Sequence, residues 1–116
     1  MRSPDDLDDF LLHRLEQERE RLVAEIENQE LPAVEQMTYG SQAEAASAVF
    51  EQERALTLRR HLERQLRAVE EALVRARGGM YGTCAECGKP IPPERLEIVP
   101  ETRWCVECQR RRERRR

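Results

Sequence analysis

The 116 residues bound the chain to one domain or one and a half. Charged residues make up 37% and aromatics 4%, which excludes a wide globular core and suits long helices that share a narrow apolar seam. The net charge of −3 is uneven: residues 1–79 carry eleven basic and seventeen acidic side chains, residues 80–116 nine and six, and six of those nine are the arginines of Arg110–Arg116. No apolar run approaches the ~20 residues of a membrane span. Met1-Arg2-Ser3-Pro4-Asp5-Asp6 is acidic and has no apolar segment, so it does not read as a secretory signal. A cytoplasmic protein with reduced cysteines is expected.

Ser3-Pro4-Asp5-Asp6 reads as a helix start, with Ser3 as cap, Pro4 at the first helical position and acids at the positive end of the dipole. Leu7, Leu11, Leu15, Leu22 and Ile26 then share one face of a 3.6-residue helix, with Glu18 interrupting the stripe. This helix should end near Gln29 or Glu30, because Pro32 disfavours helix at Leu31. Residues 31–40 read as a loop. A second helix is expected from Ser41 to Arg77, roughly 55 Å long, ending at Gly78-Gly79. Leu62, Leu66, Val69, Leu73 and Ala76 give it a 4-3-4-3 stripe that extends backward to Ala55. Two such stripes bury each other most economically in an antiparallel hairpin. The surplus length of the second helix either overhangs or packs on the cysteine-bearing segment beyond Gly79.

That segment contains Cys84-Ala-Glu-Cys87, seventeen residues, then Cys105-Val-Glu-Cys108, in a chain with four cysteines. Two thiolate pairs at this spacing close a tetrahedron around one structural Zn²⁺ and leave no open position. Gly88 stands where such a knuckle needs positive φ. Two disulfides would need an oxidising compartment, and a redox CxxC would not need its twin. Between the knuckles, Ile91, Leu96, Ile98, Val99 and Trp104 are too few for a self-sufficient core, and the prolines at 90, 92, 93 and 100 exclude long regular elements, so the metal must supply the missing stability. From Val106 onward the sequence can be helical.

Tyr81-Gly82-Thr83-Cys84-Ala85-Glu86-Cys87-Gly88, Ile91, Arg95-Leu96, Pro100 and Cys105-Val106-Glu107-Cys108-Gln109 resemble the DksA/TraR-type zinc finger, and the long helices before it resemble that family's coiled-coil arm. The resemblance implies a mainly α fold: an antiparallel helical arm over 1–79 with its tip near 31–46, then a zinc finger with a basic C-terminal helix over 80–116. It also implies a cytoplasmic, monomeric regulator that binds bacterial RNA polymerase through the secondary channel and modulates initiation without binding DNA. The family's acidic tip pattern, Asp-x-x-Asp-x-Ala, falls by ungapped count on Ser41, Glu44 and Ala46. The first acid is therefore Ser, the second is Glu and the Ala matches. Ser41 and Glu44 also read as a helix capping box. Positions that are basic in members responsive to the nucleotide ppGpp are Ala68 and Val99 here, so the alarmone is not carried over.

Two other functions stay open on the sequence alone: a zinc-finger nucleic-acid binder using the Arg-rich tail, and a coiled-coil interaction protein with a structural zinc. No catalytic constellation is visible, so no enzyme activity is expected. His13 and His61 read as solvated residues on charged helix surfaces.

Overall fold

The structure is a computed structural model that describes residues 4–31 and 42–115. It is mainly α, and its helices are α1 (Pro4–Asn28), α2 (Gln42–Arg77), α3 (Pro93–Ile98) and α4 (Val106–Arg114). Among the described residues there is no strand, only an isolated antiparallel bridge between Thr83 and Pro90. The expected loop beyond Leu31, the Ser41 position and the side chain of Leu7 lie outside the described residues.

α1 stops at Asn28, one residue short of the expected end, with the Gln29 N–H turned back to the Ile26 carbonyl at 3.4 Å. α2 ends as its glycine pair requires. The Gly79 N–H donates to the Ala76 carbonyl at 3.2 Å and the Met80 N–H to the Arg75 carbonyl at 2.9 Å, the two bonds of a Schellman motif. Gly79 takes φ +74°, which an L side chain resists, whereas Gly78 keeps a negative φ.

The chain forms two compact units, Met1–Glu20 with Arg67–Arg116, and Arg21–Leu66. These units cut across both long helices. In the second unit the helices run antiparallel. Gln29 Nε2 donates to the Ala55 carbonyl at 2.8 Å, and one turn away on α2 Arg59 Nη1 donates to the Ile26 carbonyl at 3.3 Å. Arg59 thereby satisfies a carbonyl of the last turn of α1, where no intrahelical partner exists. Leu22, Ala48 and Leu62 form the buried part of this unit. Ala48 carries the heptad one step beyond Ala55, the expected start of the stripe.

In the first unit Leu11 and Leu15 of α1 are fully buried, and Val69, Ala72 and Leu73 of α2 are buried with them. Ala72 lies outside the 4-3-4-3 stripe, so the buried face of α2 here is wider than a coiled-coil seam. Arg19 meets Glu70 across the helix pair at 3.8 Å. The Gly79-proximal end of α2 packs against the cysteine-bearing module: Arg75 donates to the carbonyls of Glu101 and Thr102 at 3.4 and 3.2 Å, and Arg103 reaches Glu71 at 3.4 Å. Of the five inter-knuckle residues expected inside, Ile91 and Leu96 are buried, Val99 and Trp104 half-buried, and Ile98 is 79% exposed. The prolines fold this segment into the short α3, and two residues along a helix from inward-facing Leu96 points nearly the opposite way. No described helix is long and apolar enough to cross a membrane.

Gly79→Ala is expected to lower stability by about 1 kcal/mol, because Ala must adopt the left-handed conformation. Gly78→Ala should be neutral or stabilising, since a Cβ there meets only backbone oxygens at ordinary contact distance. Denaturant unfolding of the two variants checks the contrast.

Candidate metal centre

The first knuckle is built by the Thr83–Pro90 bridge. The Cys84 N–H donates to the Lys89 carbonyl at 2.9 Å and the Ile91 N–H to the Gly82 carbonyl at 2.7 Å. The bridging pair itself needs no N–H, so Pro90 fits where its missing donor costs nothing. The Gly88 N–H closes the turn onto the Cys84 carbonyl at 3.0 Å with φ +76°; a Cβ would meet no neighbour there, so the backbone conformation alone explains the glycine.

The second knuckle is the start of α4. Cys105 is its N-cap residue, and the Gln109 N–H donates to the Cys105 carbonyl at 2.9 Å. Both sulfurs of this pair therefore lie at a helix N-terminus, whose partial positive charge favours thiolates.

The sulfurs of Cys84, Cys87, Cys105 and Cys108 all lie within 4.8 Å of one another, and those of Cys87 and Cys105 are 3.9 Å apart. A tetrahedral Zn–S₄ centre with bonds of ~2.3 Å has sulfurs about 3.8 Å apart, so the cluster fits one Zn²⁺ with little adjustment. Four soft sulfurs are also the donor set that selects zinc. Among the described residues this is the one group of His, Cys, Asp and Glu so placed. His13 and His61 are exposed and stand apart from it.

The environment grades the thiols. Burial alone pushes the Cys84 thiol up, but backbone amides of Cys87, Cys105 and Glu86 outweigh it and bring its pKa down to about 6. Cys108 lies deeper, and burial together with the neighbouring sulfurs pushes it up to about 12. Arg111 Nη2 approaches the Cys108 sulfur at 3.8 Å and supplies a cation on that side. A divalent ion at the centre would hold all four as thiolates.

Around the sulfurs lies the core of the module. Cys84, Cys108, Ile91 and Leu96 form one buried cluster with Leu11 of α1, and Tyr81, Trp104 and Cys105 pack against it. Periodicity does not place Leu11 there. Its spacing identifies a buried face but not which partner covers it.

A polar frame holds the connecting loop. The Tyr81 hydroxyl donates to the Pro100 carbonyl at 2.9 Å. Arg95 Nε donates to the Trp104 carbonyl at 3.1 Å, and the buried Thr102 hydroxyl donates to the same carbonyl at 3.0 Å. The Arg75 guanidinium on the Glu101 and Thr102 carbonyls is held below its usual pKa by burial and by Arg103. Glu44 and Ala46 of the expected tip are both exposed in the first turns of α2.

Residues 79–114 match the family described as the prokaryotic dksA/traR C4-type zinc finger. The RNA polymerase-binding transcription factor DksA of Caulobacter vibrioides is 45% identical over 73 residues, covering 61% of this chain and 51% of that protein. Protein TraR of Escherichia coli is 44% identical over 43 residues, covering 37% of this chain and 59% of that one. The chain thus spans roughly half the length of these curated relatives. A solved structure of transcription factor DksA2 from Pseudomonas aeruginosa matches with a TM-score of 0.82 at 32% identity, over 97% of this chain and 87% of that one.

Cys87→Ser is expected to abolish zinc retention and to unfold the module. Because Leu11 belongs to the same cluster, the loss should spread into α1. Hydrogen exchange should show amides near Leu11 and Leu15 losing protection along with residues 80–115, while those near Leu22 and Leu62 keep theirs.

Proposed function

The chain belongs to the DksA/TraR family, and on that premise we propose that it is a bacterial transcription regulator that binds RNA polymerase through the secondary channel and modulates initiation without recognising a DNA sequence. The observation that supports this most is the likeness to DksA2 along nearly the whole chain, helices and finger together. Cys84, Cys87, Cys105 and Cys108 are the proposed zinc ligands. The metal is structural: four protein sulfurs leave no position for a substrate, so the role is regulatory rather than catalytic. We take residues 1–79 as the arm and 80–116 as the finger, acting in the cytoplasm as a monomer.

In this reading the end of the arm near residues 31–46 enters the channel, with Ser41, Glu44 and Ala46 as the tip. Glu44 supplies the acidic contact that perturbs charge near the catalytic Mg²⁺. Holding a second Mg²⁺ for transcript cleavage calls for a dedicated acidic cluster, so modulation without cleavage is proposed. Ala68 and Val99 offer no cation to a pyrophosphate group, and ppGpp is not part of the proposal.

Retention of core RNA polymerase by the immobilised chain tests the partner. Glu44→Gln tests the tip, because glutamine can still serve a capping box but carries no charge. The expected outcome is an unchanged melting temperature and unchanged polymerase binding with the effect on promoter transcription lost. A variant that keeps its full effect would make Glu44 a cap residue only.

A further inference from the structure

The seam between the long helices changes character inside the unit Arg21–Leu66. Continued backward from Leu62, the 4-3 spacing of α2 falls on Arg59, Ala55, Gln52 and Ala48, and on α1 the step after Leu22 and Ile26 falls on Gln29. Leucines give way to alanines and to long polar side chains. Among the described residues the buried apolar side chains of this unit are Leu22, Ala48 and Leu62. Apolar contact therefore thins toward the end of α1, since an alanine withdraws little more than one methyl from water.

Two hydrogen bonds stand in its place, and they are reciprocal. Gln29, just past α1, donates to the Ala55 carbonyl of α2 at 2.8 Å, and Arg59 of α2 donates to the Ile26 carbonyl of α1 at 3.3 Å. Glu63 holds the Arg59 Nε at 3.1 Å and so orients the guanidinium. This is not the most stabilising arrangement. Gln29 Oε1 is buried with no hydrogen-bond partner among the described residues, and a buried orphan acceptor costs free energy that a leucine would not incur. What the polar side chains supply is direction. Apolar burial is non-directional, whereas a hydrogen bond sets donor against acceptor in both distance and angle. The connection over residues 29–41 does not by its length fix how the two helix ends meet.

We propose that Arg59 is a positioning residue: oriented by Glu63 and helped by Gln29, it clasps the last turn of α1 to α2 and fixes where the chain leaves α1 relative to the first turns of α2. Those turns carry Glu44 and Ala46. The clasp itself stands on the geometry of this unit; its effect on transcription rests on the reading of Glu44 as the tip.

The test uses the zinc-loaded full chain and R59M, which keeps an unbranched stem of high helix propensity and deletes the donors. By hydrogen exchange, amides of residues 25–29 should lose about tenfold in protection, the scale of one charge-assisted hydrogen bond, while those near Leu11 and Leu15 keep theirs. R59M should retain polymerase binding and lose most of its effect on promoter transcription, a split that general destabilisation would not produce. R59K, with one donor group for the Ile26 carbonyl, should restore both readouts. R60M, which removes a neighbouring exposed cation, should match the wild type. Unchanged protection in R59M, a loss that extends to Leu11 and Leu15, an equal loss in R60M or no rescue by R59K would each overturn the clasp. A full effect on transcription from an R59M chain with an opened end would overturn the positioning role. The exchange measurement involves no polymerase. A wild type without effect on transcription would therefore overturn the channel reading, and the positioning role with it, while exchange still decides the clasp.

Discussion

The structure depends on one shared cluster: the sulfurs of Cys84 and Cys108, Ile91 and Leu96 of the finger, and Leu11 of α1. Two apolar side chains from the finger cannot hold a 30-odd-residue segment in one conformation, since ordering each residue costs on the order of 1–2 kcal/mol. Apparent zinc binding on the order of 10 kcal/mol or more in small modules offsets part of that cost. Burying the finger against α1 and α2 offsets more of it. The metal therefore does more than close a knuckle: it fixes the surface on which the start of α1 and the end of α2 pack.

The polar contacts arise from the same shortage. A proline-rich loop between two knuckles leaves carbonyls that no helix or sheet satisfies, and buried carbonyls need partners. Arg75, Arg95, Thr102 and Tyr81 supply them from four points along the chain. Arg75 matters most of these four to the architecture, because it ties α2 to the loop. The exposed ion pairs elsewhere, such as Arg19–Glu70, are each worth at most about 1 kcal/mol and set no such constraint.

What the sequence disclosed was local. Periodicity marked Leu11, Leu15, Leu22, Leu62, Val69 and Leu73 as inward-facing, Gly78-Gly79 announced the end of α2, Gly88 its positive φ, and the paired CxxC spacing disclosed the sulfur cluster. What it withheld was tertiary. A leucine stripe has no label for its partner, so Leu11 reads as a helix–helix residue when its neighbours are cysteines. Ile98 reads as core because composition counts apolar residues without their direction around α3. Ala48 and Ala72 are too small to stand out among the many alanines of α2. Arg75 looks like one more surface arginine, because nothing in a sequence says which carbonyls will lack a partner.

If the zinc centre and the start of α1 share one core, shortening Leu11 must weaken the metal site although it touches no ligand position in sequence. Zinc affinity measured by competition with a chromophoric chelator, for the wild type, Leu11→Ala and Leu22→Ala, tests this directly. Removing a fully buried leucine side chain typically costs about 2–5 kcal/mol. If much of that cost falls on the zinc-bound fold, the Leu11 variant should bind zinc at least about tenfold more weakly, and the Leu22 variant should match the wild type. Equal affinities for all three proteins would contradict the account and make the finger a self-contained module.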